Sequence, residues 1–189
     1  MRKATLSEEL IVKEAMTLID QDGLDGLSMR KLAARLGVQA ATLYYHVPDK
    51  TALLGEVLVA LFERCLDVMP EVATWQEWMR EFGRAIWRVQ QEMKAAPLLI
   101  MNTRLDEERF ERSVAGVRAA LARFDVDPEK LMFIQSAVQA VVTGWSIFAH
   151  SAYAEKMQRM FDIEDQALRS VDAVVRGWED AITQGESQE

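Results

Sequence analysis

Apolar residues recur every three or four positions along nearly the whole chain, and only four prolines and nine glycines interrupt the pattern over 189 residues. That spacing is the period of an α-helix, whose side chains three and four apart share a face. No alternating apolar and polar run is long enough to specify a strand, so the pattern predicts an all-α chain. No internal repeat or low-complexity stretch breaks it. A chain of this length buries a substantial core without staples, and its one cysteine, Cys65, cannot form an internal disulfide. The opening Met1, Arg2 and Lys3 lack the apolar run of a secretory signal. Together these features predict a cytoplasmic setting. The most apolar segment, 137–149, carries Gln139, Thr143 and Ser146 and falls short of the roughly 20 residues of a membrane span. It reads as a buried helix, and no membrane partner is expected.

Helix punctuation divides the chain. Ser7 caps a first helix with Glu8 and Glu9 at the positive end of its dipole, and that helix ends near Gly23. Ser28 caps a second, which stops at Gly37; a third covers 40–46, and Pro48 and Asp49 open a long fourth toward Met69. Further helices are expected over 75–96, 106–124, 128–153 and 163–183, with a short turn over 97–102. Asp127 and Pro128 form a cap and first-turn pair. Residues 184–189 are polar and expected to fray. The expected organisation is a helix-turn-helix unit over 1–50 and a larger helical unit over 51–189, joined through the fourth helix without a flexible linker.

A net charge of −8 argues at first against nucleic acid, whose binding relies on Lys and Arg at phosphates. The distribution reverses that. Residues 1–50 hold seven basic and seven acidic side chains, and the remaining 139 hold 15 and 23. Within 28–50, Arg30, Lys31, Arg35 and Lys50 face only Asp49, a local net of +3 with His46 neutral. A basic patch is what DNA contact requires, although solvated helix faces of this charge are also common.

The same segment has the economy of a helix-turn-helix. Ala33 is small enough for two helices to approach, Gly37 takes the positive φ needed to leave a helix, and Leu32, Leu36, Val38 and Leu43 close a small core. With Leu43 inward, Thr42, Tyr45 and His46 turn to the opposite face, and Gln39, Ala40 and Ala41 lead into the groove. Gln39 matches the paired donor and acceptor of adenine, and Thr42 offers a methyl to thymine or a hydroxyl to phosphate. Arg30 reaches a guanine edge or a phosphate. Ser28, Tyr44, His46 and Lys50 are assigned to the DNA backbone, Lys50 beside a helix start that itself attracts phosphate. The bland reading is that Tyr44, Tyr45 and His46 only pack within a helical bundle.

Gly26-Leu27-Ser28-Met29-Arg30-Lys31-Leu32-Ala33, Leu36-Gly37-Val38, Thr42-Leu43-Tyr44-Tyr45-His46-Val47 and Lys50 resemble the TetR (tetracycline-repressor) family. The resemblance implies a homodimer that represses transcription from double-stranded operator DNA and lets go when a small-molecule inducer binds. It also implies an N-terminal three-helix domain joined by the fourth helix to a helical ligand-binding and dimerisation domain. In the tetracycline repressor a histidine before a Gly-Thr-Arg loop helps hold magnesium-tetracycline. Here the corresponding stretch, Ile100-Met101-Asn102-Thr103-Arg104, lacks that histidine, so neither tetracycline nor any metal or cofactor is expected.

In the C-terminal half, Leu131, Ile134, Val138, Val141, Trp145 and Phe148 form a heptad seam, and Val171, Val174 and Trp178 add a second stripe. Phe133, Ala137, Ala140, Gly144 and Ile147 make another face of the first helix apolar too. Two helices per subunit would build a four-helix dimer interface of the kind the resemblance implies; alternatively both stripes serve the internal core. Trp75, Trp78, Phe82, Trp87, Met93, Met101, Phe110, Met132 and Trp145 are either core or pocket lining, because soft and aromatic residues adapt to irregular cavities. Asn102, Thr103, Arg104, Gln135, Gln139, Thr143 and His150 are the polar candidates to orient a ligand. Of these, Trp78, Phe82, Met101, Asn102, Arg104, Phe110, Gln135 and Gln139 are the expected ligand contacts.

An enzyme is disfavoured, since Cys65 has no local histidine, His46 and His150 are far apart, and no phosphate loop or metal-ligand spacing occurs. The remaining alternative is a helical interaction or small-molecule-binding protein without operator binding.

Overall fold

The computed structural model describes residues 6–186, and among them the chain is helices and connecting turns. The helices are α1 (Glu8–Gly26), α2 (Met29–Leu36), α3 (Ala40–His46), α4 (Lys50–Asp67), α5 (Trp75–Glu92), α6 (Ala96–Asn102), α7 (Glu107–Leu121), α8 (Pro128–Ala149), α9 (Ala154–Gln158) and α10 (Ile163–Glu186). Short polar side chains start most of them. Ser7 Oγ accepts from the Leu10 N–H at 3.2 Å, Ser28 Oγ from Lys31 N–H at 3.2 Å, and Asp49 from Ala52 N–H at 2.8 Å. Each satisfies an amide that the helix leaves without a partner. Thr74 and Glu77 close a reciprocal capping box on α5.

Chain stops are equally local. Gly37 ends α2 at φ 67°, ψ 30°, a left-handed conformation that side-chain-bearing residues avoid, and its N–H reaches back to Ala33 and Ala34. In α1 the backbone leaves helical geometry at Gly23, φ 73°, before one further turn to Gly26. The expected break there is real, with helix on both sides.

Two boundaries differ from expectation. The helix expected over 128–153 stops at Ala149, because the His150 N–H folds back on the α8 carbonyls and the Ser151 hydroxyl donates to Phe148 O at 2.8 Å while accepting from Tyr153 N–H. The separate α9 follows. The helix expected over 75–96 stops at Glu92, and Pro97, which cannot donate a backbone hydrogen bond, sits in the first turn of α6. At the C-terminus α10 continues through 184–186 rather than fraying, while 187–189 and the opening Met1, Arg2 and Lys3 lie outside the described residues.

A continuous apolar core runs from Ile11 to Val175. In the N-terminal part Ile11, Ala15, Leu18, Ile19, Leu32, Ala33, Leu43 and Val47 are buried, and α4 extends the core with Leu53, Val57, Leu58 and Leu61. Beyond it α5, α8 and α10 pack on one another. Helix α8 spans 22 residues, longer than the apolar segment read from sequence and apolar enough to cross a membrane by length and composition. Here Leu131, Ile134, Val138 and Val142 are buried in the protein core.

Candidate nucleic-acid interface and ligand cavity

Leu43 and Val47 anchor α3 in the core, at 0% and 3% exposure. Anchoring one face fixes the other. Ala41, Thr42, Tyr44 and Tyr45 are exposed, Tyr45 at 88%, while Ala40 and His46 are half-buried. His46 meets Tyr45 edge to face with ring centroids 5.6 Å apart. Gln39 occupies the N-cap of α3, exposed and with its amide making no capping bond. An exposed aromatic as large as Tyr45 on a helix that is otherwise well anchored marks a surface kept for contact.

The basic patch is smaller than the sequence count implies. Lys31 pairs with Asp22 at 2.8 Å, and Arg35 pairs with Glu14 at 2.6 Å and donates to Gln21. The Lys50 ammonium donates to Leu24 O at 2.9 Å, immediately after the Gly23 break. Lys50 therefore ties α4 to the end of α1, a bond that leaves further ammonium donors for the phosphate role expected of it. Among the described residues, Arg30 is the one of these four basic side chains that stands exposed without an ion pair. Ser28 Oγ is committed as the α2 cap. Acidic residues on α1 reach two cations through tertiary packing, a pairing that local charge counting does not see.

The second site is a cavity of about 720 Å³ between α4, α6, α7 and α8, a size that suits a drug-sized molecule. Four of the residues expected to contact a ligand, Met101, Phe110, Gln135 and Gln139, line this cavity. Thr103 and Thr143 join them, with Leu58, Phe62, Ser113, Val114, Val117, Met132 and Ile147 among the other walls. The four remaining expected contacts are elsewhere. Trp78 and Phe82 stack on each other at 4.9 Å, both buried in the core on α5, where the inward stripe of that helix meets α8 and α10. Asn102 donates to Leu98 O within its own helix and is exposed, as is Arg104. His150 does not line the cavity; its Nδ1 lies 2.8 Å from Ser146 O.

Polar contacts around the cavity are ordered. Gln135 Nε2 donates to Gln139 Oε1 at 2.9 Å, and the buried Gln90 donates to Thr143 Oγ1 at 2.9 Å. Gln135, Gln139 and Thr143 stand four apart on α8, a stripe visible in the sequence once one face of the helix is known to be walled by core. The α4 and α7 contributions, Leu58, Phe62, Ser113, Val114 and Val117, were missed because ordinary amphipathic spacing does not distinguish core from cavity wall.

Helix α7 turns a second face to α4. Arg109 Nε and Arg112 Nη2 both donate to the Glu56 carboxylate, at 2.9 Å and 2.7–2.8 Å, and Arg109 also pairs with Asp106. The Glu56 hydrogen bond holds the Arg112 guanidinium above its usual range, and the Arg109 backbone N–H leads the lowering of the Asp106 carboxyl. Gly55 permits this approach: a Cβ there would stand 2.8 Å from Arg109 Cδ.

The dimer expectations divide by face. Leu131, Ile134, Val138 and Val171 are 0–1% exposed within one chain, so they belong to the subunit core; α5 and α10 of the same chain cover that stripe. Trp145 is half-buried, and its Nε1 donates to Ser170 Oγ at 3.0 Å. Val141 and Val174 are half-buried. Trp178 meets Phe133 edge to face at 5.5 Å. Phe133 is 63% and Phe148 50% exposed. The Cα atoms of Gly144 and Gly177 face open space. The outward apolar face of α8 and α10 is thus Phe133, Val141, Phe148, Val174, Gly177 and Trp178, with Gly144 at the border between this face and the cavity.

Residues 11–57 match the model of "Bacterial regulatory proteins, tetR family". The chain is 33% identical over 110 residues to the class D tetracycline repressor protein of Escherichia coli, covering 57% of this chain and 50% of that one. It is 31% identical over 151 residues to an HTH-type transcriptional regulator of Saccharopolyspora erythraea, covering 80% and 64%. The match thus spans about half the length of the first relative. Among solved structures, a TetR variant of Acinetobacter baumannii AYE in complex with minocycline has a TM-score of 0.74 at 23% identity, covering 94% of this chain and 98% of that one. ActR of Streptomyces coelicolor in complex with actinorhodin has a TM-score of 0.71 at 18% identity, covering 94% and 99%. Residues 11–57 thus carry a domain of the tetR family of bacterial regulatory proteins, and the fold of the chain is that of the TetR structures it resembles.

Proposed function

We propose that the chain is a dimeric transcription repressor that binds operator DNA through α3 and is released by a small molecule held between α4, α6, α7 and α8. The observation that carries this reading is the two-sided α3: Leu43 and Val47 fix it from within, leaving Gln39, Ala40, Ala41, Thr42, Tyr44 and Tyr45 along its exposed side. Gln39 and Thr42 read base edges; Arg30, Tyr44 and His46 meet phosphates. Operator binding divides the chain at the start of α4, with 1–50 as the reading unit and 51–189 as the sensing and pairing unit.

A second copy covers the outward face of α8 and α10. Phe133, Phe148 and Trp178 supply apolar area, and Gly144 and Gly177 let helices approach closely. Pairing sets two copies of α3 a fixed distance apart, which a two-fold operator requires.

Release follows from what α4 touches. Its start is tied to α1 through Lys50, its middle to α7 through Glu56, and its Leu58 and Phe62 form cavity wall. A ligand that pushes Phe110 or Phe62 acts on α4 directly and through the Arg109/Arg112–Glu56 contact. Only a ligand that prefers the released arrangement shifts the balance; a 1:99 to 99:1 shift needs about 5.5 kcal/mol of preference.

The test is a fluorescence-anisotropy titration of the full chain with duplexes spanning the DNA beside its own gene. Sequence-dependent affinity that falls steeply with salt is expected. Equal affinity for a scrambled duplex would return the chain to the alternative of a helical small-molecule-binding or interaction protein.

A further inference from the structure

The cavity walls hold no Asp, Glu, Lys, Arg or His. A ligand carrying a net charge would give up part of its hydration against these walls without gaining a counter-ion, an unfavourable exchange. A metal chelate would find no carboxylate or imidazole to complete its coordination. The walls are nonetheless not inert. Their polar groups gather on the α8 stripe of Gln135, Gln139 and Thr143, with Thr103 at the end of α6.

The hydrogen-bonding capacity of that edge is only partly used within the chain. Gln135 and Gln139 bond to each other once, so whichever amide donates, most of their N–H groups stay available to the cavity. Thr143 Oγ1 accepts from Gln90, which leaves its own O–H to donate. Thr103 Oγ1 is buried without a partner. The hydroxyls of Ser113 and Ser136 are spent on the carbonyls of Phe110 and Met132. That edge therefore offers the Gln139 amide N–H groups and the Thr143 and Thr103 hydroxyls as donors, with Gln135 Oε1 and the two serine Oγ atoms as acceptors beside them, and the walls around it, Leu58, Phe62, Phe110, Val114, Val117 and Ile147, are apolar.

We infer that the cavity selects an uncharged, metal-free lipophilic molecule bearing carbonyl or ether oxygens along one edge, which accept from Gln139, Thr143 and Thr103. This rests on the cavity being the ligand site of the proposed repressor. The acceptor edge lies along α8 and the apolar body against α4 and α7. Size alone would admit ions of similar bulk; the absence of a counter-charge rejects them.

The test uses DNA-free full-length protein and three dyes: Nile red, which is neutral and carries a carbonyl; anionic anilinonaphthalene sulfonate; and cationic rhodamine 6G. Nile red should bind saturably, one per chain, at least about tenfold tighter than either ion. Magnesium and EDTA should leave its affinity unchanged. Val114→Trp, which fills the cavity, should abolish that site. Gln139→Glu should weaken Nile red about tenfold and gain rhodamine 6G, a swap that general loosening of the fold would not produce. Circular dichroism confirms that each variant folds. The inference is overturned if the anionic dye binds the Val114→Trp-sensitive site as tightly as Nile red, if binding requires magnesium, or if neither variant affects Nile red. Operator binding is measured separately: its absence with the dye results intact would defeat the repressor reading and leave this inference standing.

Discussion

Helices α3 and α8 are both anchored by fully buried apolar side chains, one on α3 and a stripe on α8, yet their remaining faces have opposite characters. The seven-residue α3 exposes Thr42, Tyr44 and Tyr45 around the single buried Leu43. The 22-residue α8 is buried along Leu131, Ile134, Val138 and Val142, offers Gln135, Gln139 and Thr143 to a cavity, and leaves Phe133 and Phe148 outside. A short helix has one face to hold and one to give. A long helix packed between neighbours divides its surface among core, ligand and a second chain.

The largest effect expected from breaking this contrast is on stability. Leu43→Ala should cost about 2–5 kcal/mol, since a fully buried leucine leaves a cavity that a short helix cannot close. Tyr45→Ala, two positions on, should leave the thermal midpoint nearly unchanged while weakening DNA binding. Equal melting losses for both variants would show that α3 has no free face.

Next comes specificity. Gln39→Ala or Thr42→Ala should cost about 1–3 kcal/mol at particular base pairs and little elsewhere, read by titrating a panel of single-base operator variants. Lys50→Ala should act differently: it breaks the bond to Leu24 O and disturbs the α1–α4 junction, lowering stability together with affinity. A pure loss of salt sensitivity at constant stability would leave Lys50 with the phosphate-gripping role alone.

Glu56→Gln is expected to destabilise by about 1–2 kcal/mol, because it removes the charged acceptor of Arg109 and Arg112 in a partly buried contact. Chemical denaturation measures this. A change within error would mean the pair carries neither stability nor coupling.

The smallest effect concerns Cys65. Burial pushes its thiol from 9.0 up to about 12, so the folded chain should resist thiol reagents at neutral pH and react only on unfolding. The unfolded thiol ionises near 9.0 while the folded one stays protonated, so this group's stabilising contribution is lost as pH rises from 9.0 toward 12. Rapid modification of native protein at pH 7 would show α4 opening locally.

Legibility in the sequence follows the same contrast. Ser7, Ser28, Gly37, Asp49 and Asp127 act on amides a few residues away, so their caps and stops were readable from spacing alone. The α3 faces followed once Leu43 was set inward. The partners of Lys31, Arg35 and Lys50, namely Asp22, Glu14, Gln21 and Leu24, could not be read from the local charge count because they arrive through the packing of α1. On α8 the heptad of Leu131, Ile134 and Val138 is the same pattern whether its partner is another chain or α5 and α10 of its own. Trp78 and Phe82 lie in the core rather than on the cavity wall, a difference the sequence could not show because an aromatic on an apolar stripe fits core and cavity equally well.

The central claim is that the exposed face of α3 reads DNA sequence. Its most direct test is the ratio of operator to scrambled-duplex affinity at matched salt, for the native chain and for Gln39→Ala/Thr42→Ala, alongside their thermal midpoints. The account predicts a large ratio that collapses in the double variant while the midpoint holds; an unchanged ratio in a folded double variant would contradict it.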